Sequence, residues 1–167
     1  MARYRFFMRQ FLIILLFLGV VLLPRQSEAA AGAPDAITGR VIKVLPLFLD
    51  LKGHDAISPS LFDRDAYQAY LRLHTNDVSA IRFDILWKTS AAKDEKLKLH
   101  AELRGIGAGG LPRQTVLEKE VTPGFFRSWT SLTLGGDELK NFGSLVAWRV
   151  TLWNGDQMLA EQKSFLW

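Results

Sequence analysis

The side chains with catalytic or ligating potential are few and scattered. His54, His74 and His100 are the only histidines, and none has a neighbour at ligand spacing, whereas a metal needs three or four converging ligands. The His54-Asp55 pair therefore reads as a surface turn. His100 falls on the polar side of a strand pattern, where solvation accounts for it. Asp63 and Asp65 flank Arg64 and could share acid–base work as paired carboxylates. Carboxylates are also favoured in the first turn of a helix by its dipole, and that reading is adopted. Gly105–Gly110 lacks the G-K-[S/T] ending of a phosphate cradle and does not open a helix, so it reads as a hairpin loop. The chain holds no cysteine and no G-x-S-x-G run, which leaves no nucleophile to nominate. No catalytic, cofactor-binding or metal-ligating residue is assigned, and no cofactor is expected.

Aromatic side chains are the other chemistry on offer. Of the five tryptophans, Trp87 and Trp148 alternate with polar residues as core positions do. Phe125, Phe126, Trp129 and Trp153 are the candidate exposed binding aromatics, able to stack on a sugar ring or a partner protein. Half-buried edge aromatics are the plainer reading of all four.

The elements that would position these residues begin after an N-terminal block of different character. Arg3, Arg5 and Arg9 precede Phe11–Leu23, thirteen residues without charge, and Ser27-Glu28-Ala29 then presents small residues at a cleavage site. This is the pattern of a secretory signal peptide over residues 1–29. The alternative is a retained membrane anchor, although the apolar run is short for a span of about 20 residues. With this segment set aside, the formal charge falls from +4 to about +1, because four arginines leave with it against Glu28 alone. Nothing then suggests nucleic acid as a partner. The lack of cysteine also excludes disulfides and a cysteine-linked lipid.

Residues 30–36 read as a linker and 37–167 as a single domain. Ile37–Leu51 reads as an extended strand in which Pro46 suits an edge, a bulge or a change of partner. Ser58–His74 is the one good helix candidate. Ser60 sits three residues before Asp63 as in a capping box, and Phe62, Ala66, Ala69, Tyr70 and Leu73 share one face. The alternation of Tyr67, Ala69, Leu71 and Leu73 would also suit a strand. Ile81, Phe83, Ile85 and Trp87 alternate with Arg82, Asp84, Leu86 and Lys88, and Leu97, Leu99, Ala101 and Leu103 alternate with polar or charged neighbours. The two runs, joined by a short polar link, read as adjacent strands of a meander. Thr115–Val121 and Ser128–Leu134 are weaker strands. Gly143–Trp167 reads as a hairpin turning at Asn154-Gly155, with its inward face on Val146, Trp148, Val150 and Leu152. An end as apolar as Phe165-Leu166-Trp167 is expected to dock in a sheet. The alternation fails at Lys163 and Glu161, which excludes a lipid-facing barrel strand.

This makes a mainly β fold: a sandwich of about seven antiparallel strands with one short helix near residues 60–74. The run Asn141-Phe142-Gly143-Ser144-Leu145-Val146-Ala147 resembles the D-x-G-x-Y-x-C corner that leads into the sixth strand of immunoglobulin-like and fibronectin type III-like domains. Leu145 replaces the tyrosine there, Ala147 the cysteine and Asn141 the aspartate. The resemblance implies an immunoglobulin-like β-sandwich, a core role for Trp87 and an inward Leu145 and Ala147. Fold alone implies no activity. The expected function is an exported, periplasmic or secreted binding or scaffolding domain that engages an envelope or extracellular protein through a sheet edge or its loops. A carbohydrate-binding module and an accessory domain of an envelope hydrolase are the alternatives. The membrane is a partner only if Phe11–Leu23 is retained.

Overall fold

The computed structural model describes residues 36–167. The expected signal peptide or anchor over residues 1–29, and the linker as far as Asp35, lie outside them. Among the described residues no helix is long and apolar enough to cross a membrane.

Among the described residues seven antiparallel strands form two sheets. β1 (Gly39–Asp50), β2 (Val78–Thr89) and β5 (Ser128–Gly135) make one, in the order β1-β2-β5. β3 (Leu97–Ile106), β4 (Pro112–Val121), β6 (Ser144–Asn154) and β7 (Gln157–Lys163) make the other, in the order β4-β3-β6-β7. The period-two alternation builds the core directly. Ile81, Phe83, Ile85 and Trp87 of β2 face Leu97, Leu99, Ala101 and Leu103 of β3 across the sandwich, and all eight are buried. The runs on β2 and β3 are therefore not neighbours in a meander. Their link, Ser90–Lys96, carries the chain from one sheet to the other, because two strongly one-sided strands bury more by facing each other than by lying side by side.

Trp87 carries a polar atom into this core. Its indole N–H donates to Thr130 Oγ1 on β5 at 3.0 Å. Thr130→Val keeps the shape and removes the acceptor, and is expected to destabilise by about 1–3 kcal/mol. Urea titration measures it, and a loss below about 0.5 kcal/mol would mean that the N–H finds another partner.

Edge strands need their free backbone groups covered. Pro46, on the edge strand β1, has no N–H to cover. Two residues on, the Phe48 N–H donates to Gln68 Oε1 and the Phe48 carbonyl accepts from Gln68 Nε2, both at 2.8 Å. Gln68 thereby stands in for a missing strand. It lies on α1 (Leu61–Leu73), whose first turn is capped by Ser60 Oγ accepting from the Asp63 N–H at 3.4 Å. The helix is as expected, but its inward face is not. Gln68 and Leu71 are buried, whereas Phe62 and Leu73 are each 81% exposed and Ala66, Ala69 and Tyr70 also face outward. Satisfying the β1 edge rotates the helix toward its 64-67-68-71 face, so hydrogen bonding overrides the apolar stripe.

A second helix, α2 (Gly136–Phe142), forms the link between β5 and β6, where the sequence pattern indicates only one helix, that near residues 60–74. It ends at Gly143, whose φ of 77° and position against the Ile106 carbonyl admit no side chain. The C-terminal hairpin turns on Gly155-Asp156, one residue later than Asn154-Gly155, with the positive φ at Gly155. β7 stops at Lys163. The apolar end does not join the sheet: Phe165 is fully exposed and Leu166 mostly so. Trp167 alone docks, on the outer face, where the Arg104 guanidinium stacks 3.8 Å from its ring centre and that of Arg149 lies at 5.2 Å.

β6 settles its own register. Trp148, Val150 and Leu152 pair with the inward Leu103, Ala101 and Leu99. A bulge opposite Arg104/Gly105 then changes the phase. Val146 is thrown outward and Leu145 comes to lie opposite Gly105, packed against the core. The plain alternation holds beyond the bulge and the immunoglobulin-like register holds before it. Ala147 is buried on the outer face, opposite Arg104.

Candidate functional site: an open flank between the sheets

β7 pairs with β6 only from Arg149 to Asn154. Beyond that, Ser164 makes a single further tie: its N–H donates to the Trp148 carbonyl at 2.9 Å, and its Oγ accepts from the Trp148 N–H at 3.0 Å. From Ser144 to Ala147, β6 has β3 on one side and, among the described residues, no strand on the other. On the facing sheet, β7 covers only the early part of β1, where Gly39 packs so closely on Leu159 that a Cβ would lie 2.8 Å from it. The flank of the sandwich is thus shut at one end and open at the other.

The opening is a cleft of about 630 Å³, within the usual range of ligand sites. Pro46, Phe48 and Ile81 form one wall, and Leu145, Val146 and Trp148 the other. Ile106 and Leu139 close its end. Among the described residues its only charged lining residues are Arg72, at the end of α1, and Lys140 on α2. The Lys140 ammonium is held by Asp137 at 3.1 Å. Arg72 lies 5.6 Å from the Phe48 ring centre and has no ion pair among the described residues. The arrangement can bury apolar groups and attract a negative charge. Serine and threonine hydroxyls are present on the lining, but among the described residues no carboxylate or imidazole lines it beside them.

The residues nominated from sequence lie elsewhere. Phe125 and Phe126 project together from the β4–β5 loop, edge to face at 4.4 Å and 87°, with the Lys93 ammonium 5.0 Å from the Phe125 ring centre. Trp129 is exposed on the outer face of the three-stranded sheet, opposite Leu86. Trp153 is half-buried on the outer face of the four-stranded sheet, its indole N–H donating to Thr151 at 2.8 Å. The fold brings the two phenylalanines together and puts Trp129 and Trp153 on different faces. Asp63 lies in the first turn of α1, its backbone N–H donating to Ser60 Oγ, and Asp65 lies beside Arg64. Among the described residues no three histidine or acidic side chains converge as a metal site would need.

His100 is less solvated than its strand position suggests. Its ring is one-quarter exposed, lies 3.6 Å from Glu118 and 6.0 Å from the Trp153 ring, and leaves Nε2 buried without a partner. Cover by an outer-face tryptophan is a tertiary effect that strand alternation does not contain.

His54 serves structure. Asp50 Oδ1 accepts from the backbone N–H groups of His54 and Lys52, both at 2.8 Å, and Oδ2 accepts from the Tyr67 hydroxyl at 2.9 Å. The His54 N–H bond is the leading cause holding the Asp50 carboxyl below its ordinary value of 3.8, and the hydrogen bond that Tyr67 donates to this carboxylate raises the Tyr67 hydroxyl. A depressed carboxyl stabilises above its unfolded pKa, and that stability is lost as pH falls through the folded value. Urea midpoints should therefore show an advantage of wild type over Asp50→Asn at neutral pH that shrinks below pH 3.8. A constant gap across that range would assign the effect to packing.

No protein-family model matches the chain, and searches of curated proteins and of solved structures likewise find no match.

Proposed function

We propose that the protein is an exported, non-catalytic binding domain of immunoglobulin-like arrangement, which holds part of another envelope or extracellular protein in its open flank. The observation that carries this reading is the cleft, where both sheets contribute apolar walls and β6 leaves an unpaired edge. Its lining favours holding a ligand over transforming one. The strand orders β1-β2-β5 and β4-β3-β6-β7 parallel the A-B-E and C′-C-F-G sheets of immunoglobulin-like sandwiches, which supports the finer fold reading. Export rests on the basic, apolar and small-residue pattern of residues 1–29. The sugar-binding alternative looks for flat, coplanar aromatics, and the edge-to-face Phe125 and Phe126 do not supply them.

Capture from an envelope extract tests the proposal, with the wild-type protein and a Ser144→Trp variant as paired baits. Ser144 is exposed and lines the cleft, so the indole blocks the flank without entering the core. One stoichiometric partner held by wild type and lost by the variant is expected. Equal retention by both would move the binding surface away from the flank, and the Phe125/Phe126 loop would be the next place to substitute.

A further inference from the structure

Resting on that reading, we propose that the open flank is a strand-acceptor site. Its ligand is an extended peptide segment with apolar side chains at alternate positions and one carboxylate, which adds to β6 where β7 ends. The line for such a strand is already drawn. β7 and then Ser164 occupy this side of β6 as far as Trp148, and the residues from Ser144 to Ala147 continue the same edge with no strand beside them among the described residues. An added strand satisfies main-chain groups that no purely apolar ligand can.

The two walls differ in a way that fixes which edge accepts. On β1, Pro46 has no N–H, and both main-chain groups of Phe48 are taken by Gln68. β1 is closed to pairing over the stretch that lines the cleft, while β6 is open. A strand on β6 turns every second side chain inward, onto Phe48, Ile81, Leu145 and Trp148. Val146 and Ile106, both partly exposed on the lining, offer apolar cover at the rim. Charge selects the rest. Among the described residues Arg72 stands at the mouth without an ion pair and no carboxylate lines the cleft. A peptide carboxylate meets an unpaired guanidinium there, able to accept two of its hydrogen bonds.

The test uses the protein as purified from expressing cells, titrated with capped synthetic peptides of about seven residues that alternate valine and threonine and carry one aspartate. The readouts are Trp148 fluorescence, assigned with Trp148→Phe, and amide NMR shifts across Ser144–Ala147. Strand addition is tolerant of side-chain sequence because the main chain carries affinity, so binding by this probe is expected. Exchanging its aspartate for asparagine, or Arg72→Gln in the protein, should weaken binding about tenfold. Methylating alternate peptide nitrogens should abolish it. Undiminished binding of the N-methylated peptide overturns the proposal, as does the absence of binding by any peptide at millimolar concentration. If the peptides fail while Ser144→Trp still loses its envelope partner, the flank binds by another mode. If Ser144→Trp keeps that partner, the flank reading itself falls.

Discussion

Gln68→Leu is expected to destabilise the domain by about 3 kcal/mol or more, although leucine has similar bulk and is the more apolar residue. Three hydrogen bonds end at this one amide: two with the main chain of Phe48 and one to the Asp55 carbonyl, each 2.8 Å. Gln68 is buried. The leucine therefore leaves a buried N–H and carbonyl on an edge strand without water or partner, at about 1–3 kcal/mol each. A second effect separates this from ordinary core damage. An uncapped β1 edge offers a template to another chain, so the variant should also self-associate. Urea titration reads the stability and size-exclusion chromatography the association. A monomeric variant within about 1 kcal/mol of wild type would mean that Phe48 is not held as described.

Trp87→Ala should cost still more, about 3–5 kcal/mol, as large buried aromatics do when cut to alanine. Trp87 is among the largest fully buried side chains. Its loss opens a void between the sheets and orphans the Thr130 hydroxyl. Trp148→Ala provides the internal comparison. Trp148 faces the same interior but borders the cleft and is only half-buried, so the smaller loss is expected there. Denaturant unfolding of the two variants ranks them, and the reverse order would mean that the flank is shut in solution.

The strands were legible because each inward face repeats with period two. Leu97, Leu99, Ala101 and Leu103 could hardly form anything else, and the Ser60 cap announced its helix. Pairing was less visible. Alternation says that a strand has one dry face but not which strand lies opposite, so β2 and β3 read as neighbours when they face each other across the core. The orientation of α1 was hidden for a similar reason. Its apolar stripe Phe62, Ala66, Ala69 and Leu73 outweighs Gln68 in any count of hydrophobicity, and only the bare edge of β1 explains why one glutamine prevails. The cleft was the least legible feature. It arises from a difference in length between β6 and β7 and from a bulge at Val146, neither of which marks the residues that line it. The aromatic candidates stood out by type, yet fold position scattered them, and the cation that matters at the cleft, Arg72, looked like an ordinary surface residue of a helix.

The crossing of the chain between sheets after Thr89 also bears on how the molecule assembles. β1 and β2 can meet early, and so can β3 and β4, but each pair alone is a two-stranded ribbon with one greasy side, of the kind that is marginal at best in water. β5 is needed to widen the first ribbon and β6 the second, and both come from the last quarter of the chain, some 40 residues or more from their partners. Collapse is therefore deferred until the residues after about Ser128 are available, which is the slow, non-local order characteristic of sandwiches. A chain halted before that point can set Phe83 and Trp87 against Leu99 but only between two narrow ribbons, so lasting burial of these side chains waits for β5 and β6 to widen each sheet.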